Sequence, residues 1–225
     1  MKLYDQVIPG RFIRRPNRFI AHVETAMGEE ICHVKNTGRC KEILVPGARV
    51  YLSVSDHPNR KTRCDVIAVE KGKRLINMDS QAPNRVAREA IDRLYPGATL
   101  IRPEYTFGDS RLDYYIEVKE RKILMEVKGV TLEEEGVASF PDAPTERGVK
   151  HLRELERAVA MGYEGAVLFI IQMEDIAYFT PNRRTHPAFA DALAAARDAG
   201  VQIYCFECTV TEDSLTVSRP VTCRI

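Results

Sequence analysis

No stretch of this 225-residue sequence approaches the roughly twenty consecutive apolar residues that span a bilayer. The N-terminus, MKLYDQVIPGRF, has no apolar core between a basic start and a small-residue cleavage site, so it does not read as a secretory leader. A cytoplasmic location without membrane contact is expected. The sequence contains one Cys-x-x-Cys, Cys205 to Cys208, with no second such pair and no His pair to complete a zinc set. It lies in the strand-like run VQIYCFECTV, where residues three apart point to opposite faces, so buried free thiols are the expected state of the cysteines. There is no Gly-rich phosphate loop and no dinucleotide fingerprint, which counts against an enzyme acting on a small phosphorylated or sugar substrate. Neither a helix-turn-helix nor a zinc finger is discernible, so sequence-specific operator reading has little support. Repeats and low-complexity tracts are absent as well.

What is present is an ordinary folded composition, 44% hydrophobic and 29% charged, long enough for one large or two small domains. The net charge of +1 hides an asymmetry: residues 1–80 carry +6 and residues 81–225 carry −5. A basic module joined to an acidic one points to polyanion binding by the first. Carboxylates in the second do not oppose that reading, because a nuclease needs them to hold metal.

The first 80 residues carry strand signals and almost no helix signal. RFIAHVET, EICHVKN, ARVYLSVS, RCDVIAVEKG and KRLINM are separated by turn chemistry at Met27-Gly28, Asn36-Thr37-Gly38, Pro46-Gly47 and His57-Pro58-Asn59. Five short strands in this length predict an OB-like β-barrel over residues 1–82. The pattern shifts near Gln81-Ala82-Pro83-Asn84. Asn84 is expected to cap a helix over Arg85–Tyr95 with Val86, Ala87, Ala90, Ile91 and Leu94 as its apolar stripe. Three strands follow (ATLIRPEYTF, RLDYYIEV, KILMEVKGV), then a loop TLEEEGVASFPDAP, helix TERGVKHLRELERAVAMG, strand GAVLFIIQ, helix PAFADALAAARDAG and strands VQIYCFECTV and LTVSRP. Residues 83–225 thus form a mixed α/β domain expected to pack tightly on the barrel.

The segment from Arg111 to Lys128 is the informative one. Read as a hairpin turning at Glu120-Arg121, it sorts Tyr114, Ile116, Val118, Ile123, Met125 and Val127 to one face. Asp113, Tyr115, Glu117, Lys119, Lys122, Leu124, Glu126 and Lys128 fall on the other. With Asp113 opposite Lys128, a register shift of two preserves the sorting and a shift of one destroys it. Two carboxylates held close recruit a hard divalent cation, which polarises a phosphoryl oxygen and lowers the pKa of a bound water. A lysine two residues along orients that water or offsets the charge of the transition state. On spacing alone, a solvent-facing hairpin with charges paired across the strands is the better reading. The flanking helices and the long loop after Lys128 shift the balance toward a site.

These residues resemble the PD-(D/E)xK nuclease signature, Asp113 followed by Glu126-Val127-Lys128. The chain as a whole is similar to the sugar fermentation stimulation protein A family. That resemblance rests on Asn36-Thr-Gly-Arg39, the Pro46-Gly47 turn, Pro83-Asn84, Val130-Thr-Leu132, Phe140-Pro-Asp142-Ala and Thr145-x-Arg147-Gly-x-Lys150-His151-Leu. It implies an N-terminal OB-like barrel, a C-terminal restriction-endonuclease-like domain and DNA binding. By analogy with the nuclease superfamily, Glu89 on the first helix joins the metal site, and Gln172 at the end of GAVLFIIQ supports it. A solvated Glu89 and an ordinary polar strand end at Gln172 remain open. Asp109 reads as a turn residue, and His151, at the edge of an apolar helix face, as a packed one.

The expected nucleic-acid surface comprises Arg11, Arg14, Arg15 and Arg18 beside Phe12 and Phe19, then Lys35, Asn36, Arg39 and Lys41 around the Thr37-Gly38 turn. Arg147 and Lys150, at a helix start, are expected to add phosphate contacts, with a capping Thr145 and solvated charges as the alternative. The expectation is therefore a Mg²⁺- or Mn²⁺-dependent nuclease acting on nucleic acid, DNA rather than RNA. Asp113, Glu126 and Glu89 would hold metal, with Lys128 and Gln172 assisting. The competing reading is a non-catalytic DNA-binding regulator of sugar metabolism on a nuclease scaffold. A homodimer is left open.

Overall fold

The computed structural model describes residues 1–36 and 38–225; Thr37, placed at a loop tip by the sequence, lies outside the described residues. Five strands close the N-terminal barrel: β1 (Val7–Asn17), β2 (Ile20–Thr25), β3 (Gly28–Val34), β4 (Arg49–Val54) and β5 (Cys64–Lys71). The ring runs β3-β2-β1-β4-β5 in antiparallel pairs. It is sealed by a parallel seam of Cys32, Val34 and their neighbour His33 against Cys64, Val66 and Asp65. This is the OB-like barrel expected, but one of its strands differs. KRLINM forms β6 (Arg74–Asn77), which pairs with the far end of β5 and lies outside the ring. The missing member is β1, hidden in the sequence by Pro9, Gly10, Pro16 and three arginines, all weak strand formers or surface residues. Gly10 belongs there for a packing reason: a Cβ at this position would lie 2.4 Å from Val23 Cγ1 and 2.9 Å from the Glu24 carbonyl oxygen.

The second module begins with α1 (Ala82–Leu94). It continues through β7 (Leu100–Phe107), β8 (Ser110–Val118), β9 (Arg121–Val130), β10 (Leu132–Glu134) and β11 (Val137–Phe140). Then come α2 (Glu146–Ala160), β12 (Glu164–Ile171), β13 (Tyr178–Pro181), α3 (Pro187–Asp198), β14 (Gln202–Val210) and β15 (Leu215–Pro220). The main sheet runs β15-β14-β12-β9-β8-β7, with β9, β12 and β14 parallel and antiparallel strands at both edges. The central strand β12 is buried on both faces from Ala166 to Ile171. Residues Tyr114, Ile116, Val118, Ile123, Met125 and Val127 all share a core with α1. Tyr115 and Leu124 pack instead with α2 and α3. Cys205 and Cys208 likewise enter opposite cores.

Two local expectations are corrected. The loop after Lys128 is not structureless: β10 and β11 form a hairpin, and β13, absent from the sequence reading, joins it in parallel. Asn84 is not a cap. The helix starts earlier, after Gln81, with proline in its first turn, and the Asn84 side chain is engaged elsewhere.

The modules are clamped together. Lys71 of β5 and Arg74 of β6 bond the Glu133 carboxylate of β10 at 2.8 and 3.1 Å. The Gln172 amide, after β12, donates to Asn77 Oδ1 at 2.9 Å and to the Asp79 carbonyl at 3.0 Å. Among the described residues no helix is long and apolar enough to cross a membrane.

Candidate active site and nucleic-acid interface

Strand pairing between β8 and β9 sets Tyr114 against Met125, Tyr115 against Leu124 and Ile116 against Ile123. This register is shifted by two from Asp113 opposite Lys128, so the facial sorting survives and the next position outward sets Asp113 across from Glu126. Asp113 is fixed by two donors: Asn84 of α1 gives its amide to Oδ1 at 2.8 Å, and the Val127 N–H reaches Oδ2 at 2.7 Å. Glu126 is bound asymmetrically. Its Oε1 accepts from the Lys128 ammonium at 2.5 Å and is also bonded to His151 Nδ1 of α2. Its Oε2 is buried and, among the described residues, has no hydrogen-bond partner.

The electrostatics of the two carboxylates differ in direction. Burial pushes the Asp113 carboxyl above the ordinary Asp value, and the neighbouring Glu126 charge adds to the push, against the Val127 N–H, Lys128 and Asn84. Burial also opposes charge on Glu126, but the hydrogen bond from His151 and the Lys128 ammonium outweigh it and hold that carboxyl below its ordinary value. The result is one firmly ionised carboxylate beside one whose charge is disfavoured, a pair that a cation would relieve.

Among the described residues no group of three His, Cys, Asp or Glu side chains is arranged to hold a metal. Two carboxylates are enough for Mg²⁺ or Mn²⁺, which commonly keep several waters and take one or two carboxylates plus substrate phosphate. The buried, unpartnered Oε2 of Glu126 fits that role, as does the remaining lone-pair capacity of Asp113. Glu89 does not join them. Its Oε2 accepts the Val217 N–H at 2.8 Å and its Oε1 lies 3.2 Å from the N-terminal ammonium, because the α1 face bearing it turns toward β15 and the chain start. The α1 residue that does reach the pair is Asn84, nearly a turn and a half earlier. Gln172, with its amide committed to the barrel junction, sits against Gly129: a Cβ there would lie 2.6 Å from Gln172 Oε1 and 2.6 Å from Pro83 Cγ.

An open cleft of about 960 Å³ runs between the modules and reaches Gly129, one residue beyond Lys128, and Gln172. Its barrel wall carries Arg14, Arg15 and Arg18 of the β1 stretch and Asn36, Arg39 and Lys41 of the loop after β3; its other wall is the Phe140–Thr145 segment. The basic residues divide by their partners. Arg15 spends its guanidinium on the carbonyls of Arg18, Asn36, Gly38 and Arg39, so it shapes the cleft wall. Asn36 bonds the Met78 carbonyl and the Gly38 N–H. Lys35 pairs with Asp65 and Asp79 at 3.4 and 3.5 Å. Arg11 donates to the Gly47 carbonyl, and Arg14 lies 3.3 Å from His22. Arg18 lies over the ring of Phe19, which is half-exposed, whereas Phe12 belongs to the barrel core. At the α2 start Thr145 caps the helix by accepting the Gly148 N–H. Lys150 donates to the Asp109 carbonyl at 3.0 Å, and Arg147 to His151 Nε2 at 3.3 Å. Both side chains are exposed at the start of α2.

Sequence reasoning missed Asn84 and His151 as neighbours of the pair. Periodicity carried no signal for either, since it does not say which flank of α1 meets β8 or what α2 meets on the sheet.

Comparison with known proteins agrees with this architecture. The model of the SfsA N-terminal OB domain matches residues 13–78, and that of the sugar fermentation stimulation protein RE domain matches residues 81–214. A sugar fermentation stimulation protein homolog of Desulfitobacterium hafniense is 59% identical over 223 residues, 99% of this chain and 98% of the relative. The homolog of Ruminiclostridium cellulolyticum is 52% identical over 224 residues, 99% of each. A solved structure of Pyrococcus furiosus SfsA in complex with Ca²⁺ superposes with a TM-score of 0.89 at 28% identity, covering 100% of both chains.

Proposed function

The chain belongs to the sugar fermentation stimulation protein family, and from that premise and the site geometry we propose that it is a DNA-binding protein carrying a Mg²⁺- or Mn²⁺-dependent phosphodiesterase centre. The observation that carries the proposal is the Asp113–Glu126 pair: two adjoining carboxylates, one with a buried oxygen that no donor among the described residues satisfies. In the nuclease reading Asp113 and Glu126 hold the cation, which supplies positive charge next to the scissile phosphate. The Ca²⁺ named with the Pyrococcus furiosus structure supports a hard divalent ion bound by oxygen ligands in this family.

The remaining work falls to the protein. Lys128, two residues from Glu126 on the same face, sets its ammonium where it can orient an attacking water and offset the charge that grows on the phosphoryl oxygens. Asn84 and the Val127 N–H fix the Asp113 rotamer. The cleft between the modules, with the arginines and lysines of its barrel wall, takes the nucleic-acid backbone and delivers it toward Gly129. Half-exposed Phe19 beneath Arg18 offers a surface on which a base can stack.

The test is cleavage of labelled single- and double-stranded DNA and RNA by wild type, Asp113→Ala and Lys128→Ala, in Mg²⁺, Mn²⁺ or EDTA. Metal-dependent cleavage that falls by about a hundredfold or more in both variants is the expected result. Salt-sensitive binding with no cleavage, unchanged in the variants, would leave a DNA-binding protein on a nuclease scaffold.

A further inference from the structure

His151 is almost completely buried, at 4% exposure, and both of its ring nitrogens are spoken for. Nδ1 bonds Glu126 Oε1, and Nε2 faces the Nε–H of Arg147 at 3.3 Å. An arginine side chain has donors and no acceptor, so Nε2 must be the acceptor, and the ring hydrogen of the neutral imidazole must sit on Nδ1. Nδ1–H therefore donates to Glu126. With Lys128 donating to the same oxygen, both donors around the carboxylate converge on Oε1, and among the described residues none reaches Oε2.

A packed core histidine has no need of this arrangement. Its N–H could go to a helix carbonyl or to water at far lower cost than to a carboxylate buried beside a second carboxylate. Arg147, exposed on the first turn of α2, gives its Nε–H to this ring. It is the outer end of a three-residue chain, Arg147 to His151 to Glu126, that crosses from the helix surface to the β9 carboxylate.

We infer that His151 is a positioning residue for Glu126, holding Oε1 through Nδ1–H so that Oε2 alone is presented to the cation, and that Arg147 sets the imidazole tautomer that makes this possible. The inference rests on the metal reading of the Asp113–Glu126 pair. Outer partners of this kind fix the rotamer and basicity of a ligand without touching the ion.

The experiment is calorimetric titration of Mn²⁺ alone, without nucleic acid, into full-length wild type, His151→Asn, His151→Gln and Glu126→Gln, with thermal unfolding of each variant as the check on folding. The amide nitrogen of Asn falls where Nδ1 stands, whereas that of Gln falls where Nε2 stands. His151→Asn is expected to bind Mn²⁺ within about threefold of wild type, and His151→Gln about tenfold or more weakly, in the range measured for outer partners of metal ligands. Equal affinities for the Asn and Gln variants, at either level, would overturn the positioning role while leaving the metal site intact. Absence of Mn²⁺ uptake by wild type, indistinguishable from Glu126→Gln, would overturn the metal reading and the inference with it.

Discussion

Glu133 and Glu126 are both buried glutamates on consecutive strands of one module, β10 and β9, yet they are satisfied in opposite ways. Glu133 divides its donors over both oxygens: Arg74 and the Gly136 N–H on Oε1, Lys71 on Oε2. Burial opposes its charge, but the Lys71 hydrogen bond and the Gly136 N–H bring its carboxyl below the ordinary value. Glu126 receives its donors on one oxygen only and faces a like charge in Asp113. The first is a closed ion cluster that joins the β10 hairpin to the barrel. The second is an open one. A buried carboxylate that the protein saturates is a structural device; one that it half-saturates next to another carboxylate has room for a ligand.

That contrast can be broken or sharpened by experiment. The largest effect is expected at Glu133. Glu133→Gln leaves Lys71 and Arg74 facing a neutral amide across the module junction and should destabilise the protein by about 2–3 kcal/mol, read as a lower midpoint in urea at constant slope. The closed cluster should ignore divalent ions, whereas the open one should respond: Mn²⁺ at a hundredfold excess over its Kd should stabilise wild type by about 2.7 kcal/mol and leave Glu126→Gln unmoved. An equal Tm rise in both would place the ion elsewhere.

Next is Asp113→Asn, expected to stabilise the metal-free protein by about 1 kcal/mol at neutral pH, as substitutions at strained functional sites commonly do. Its pH dependence follows from the raised Asp113 carboxyl. The protonated acid is tolerated below the ordinary Asp range, and stability is lost as pH rises through the raised folded value, so the advantage of Asn should fade in acid. Glu133 runs with the other sign. Its lowered carboxyl contributes stability above the ordinary Glu range and loses it as pH falls through the folded value, so the deficit of Glu133→Gln should fade in acid too. Thermal scans from pH 3 to 8 (on the order of one unit apart) would separate a fading gain from a fading loss. The smallest effect belongs to Glu89→Gln. It should cost under about 1 kcal/mol, through the Val217 N–H and the exposed N-terminus, and leave Mn²⁺ affinity unaltered. A loss of metal binding in that variant would return Glu89 to the site.

The sequence pattern carried the site further than it carried the barrel. Alternation along Arg111–Lys128 is strict enough that a hairpin register two residues off still sorts the strand residues to their faces; Lys119 alone leaves the pattern, because the turn falls at Lys119-Glu120 and not at Glu120-Arg121. The β1 strand escaped because its prolines, glycine and arginines read as a basic surface patch, and only pairing with β2 and β4 makes it a barrel strand. The β10–β11 hairpin escaped for a similar reason: three- and four-residue strands lack the length to show a period, and their partner β13 is some forty residues away. Glu89 and Asn84 show where helix reasoning ends. Periodicity says which side of α1 is apolar, but not which flank turns toward β8 and which toward β15. Arg15 makes the same point for charge, since composition counts a guanidinium without saying whether it faces a phosphate or four carbonyls.

By itself, then, the sequence determined the two-module organisation and the placing of Asp113, Glu126 and Lys128 at one end of a hairpin, because both depend on local periodicity and turn chemistry. Only the tertiary structure decided what surrounds Glu126. The docking of α2 on the sheet brings His151 to Oε1, the docking of α1 brings Asn84 to Asp113, the loop after β3 folds over Arg15, and the seating of the barrel opens the cleft beside Gly129. Such contacts join residues far apart in the chain, and their geometry is fixed by packing between elements, which no spacing within one element encodes.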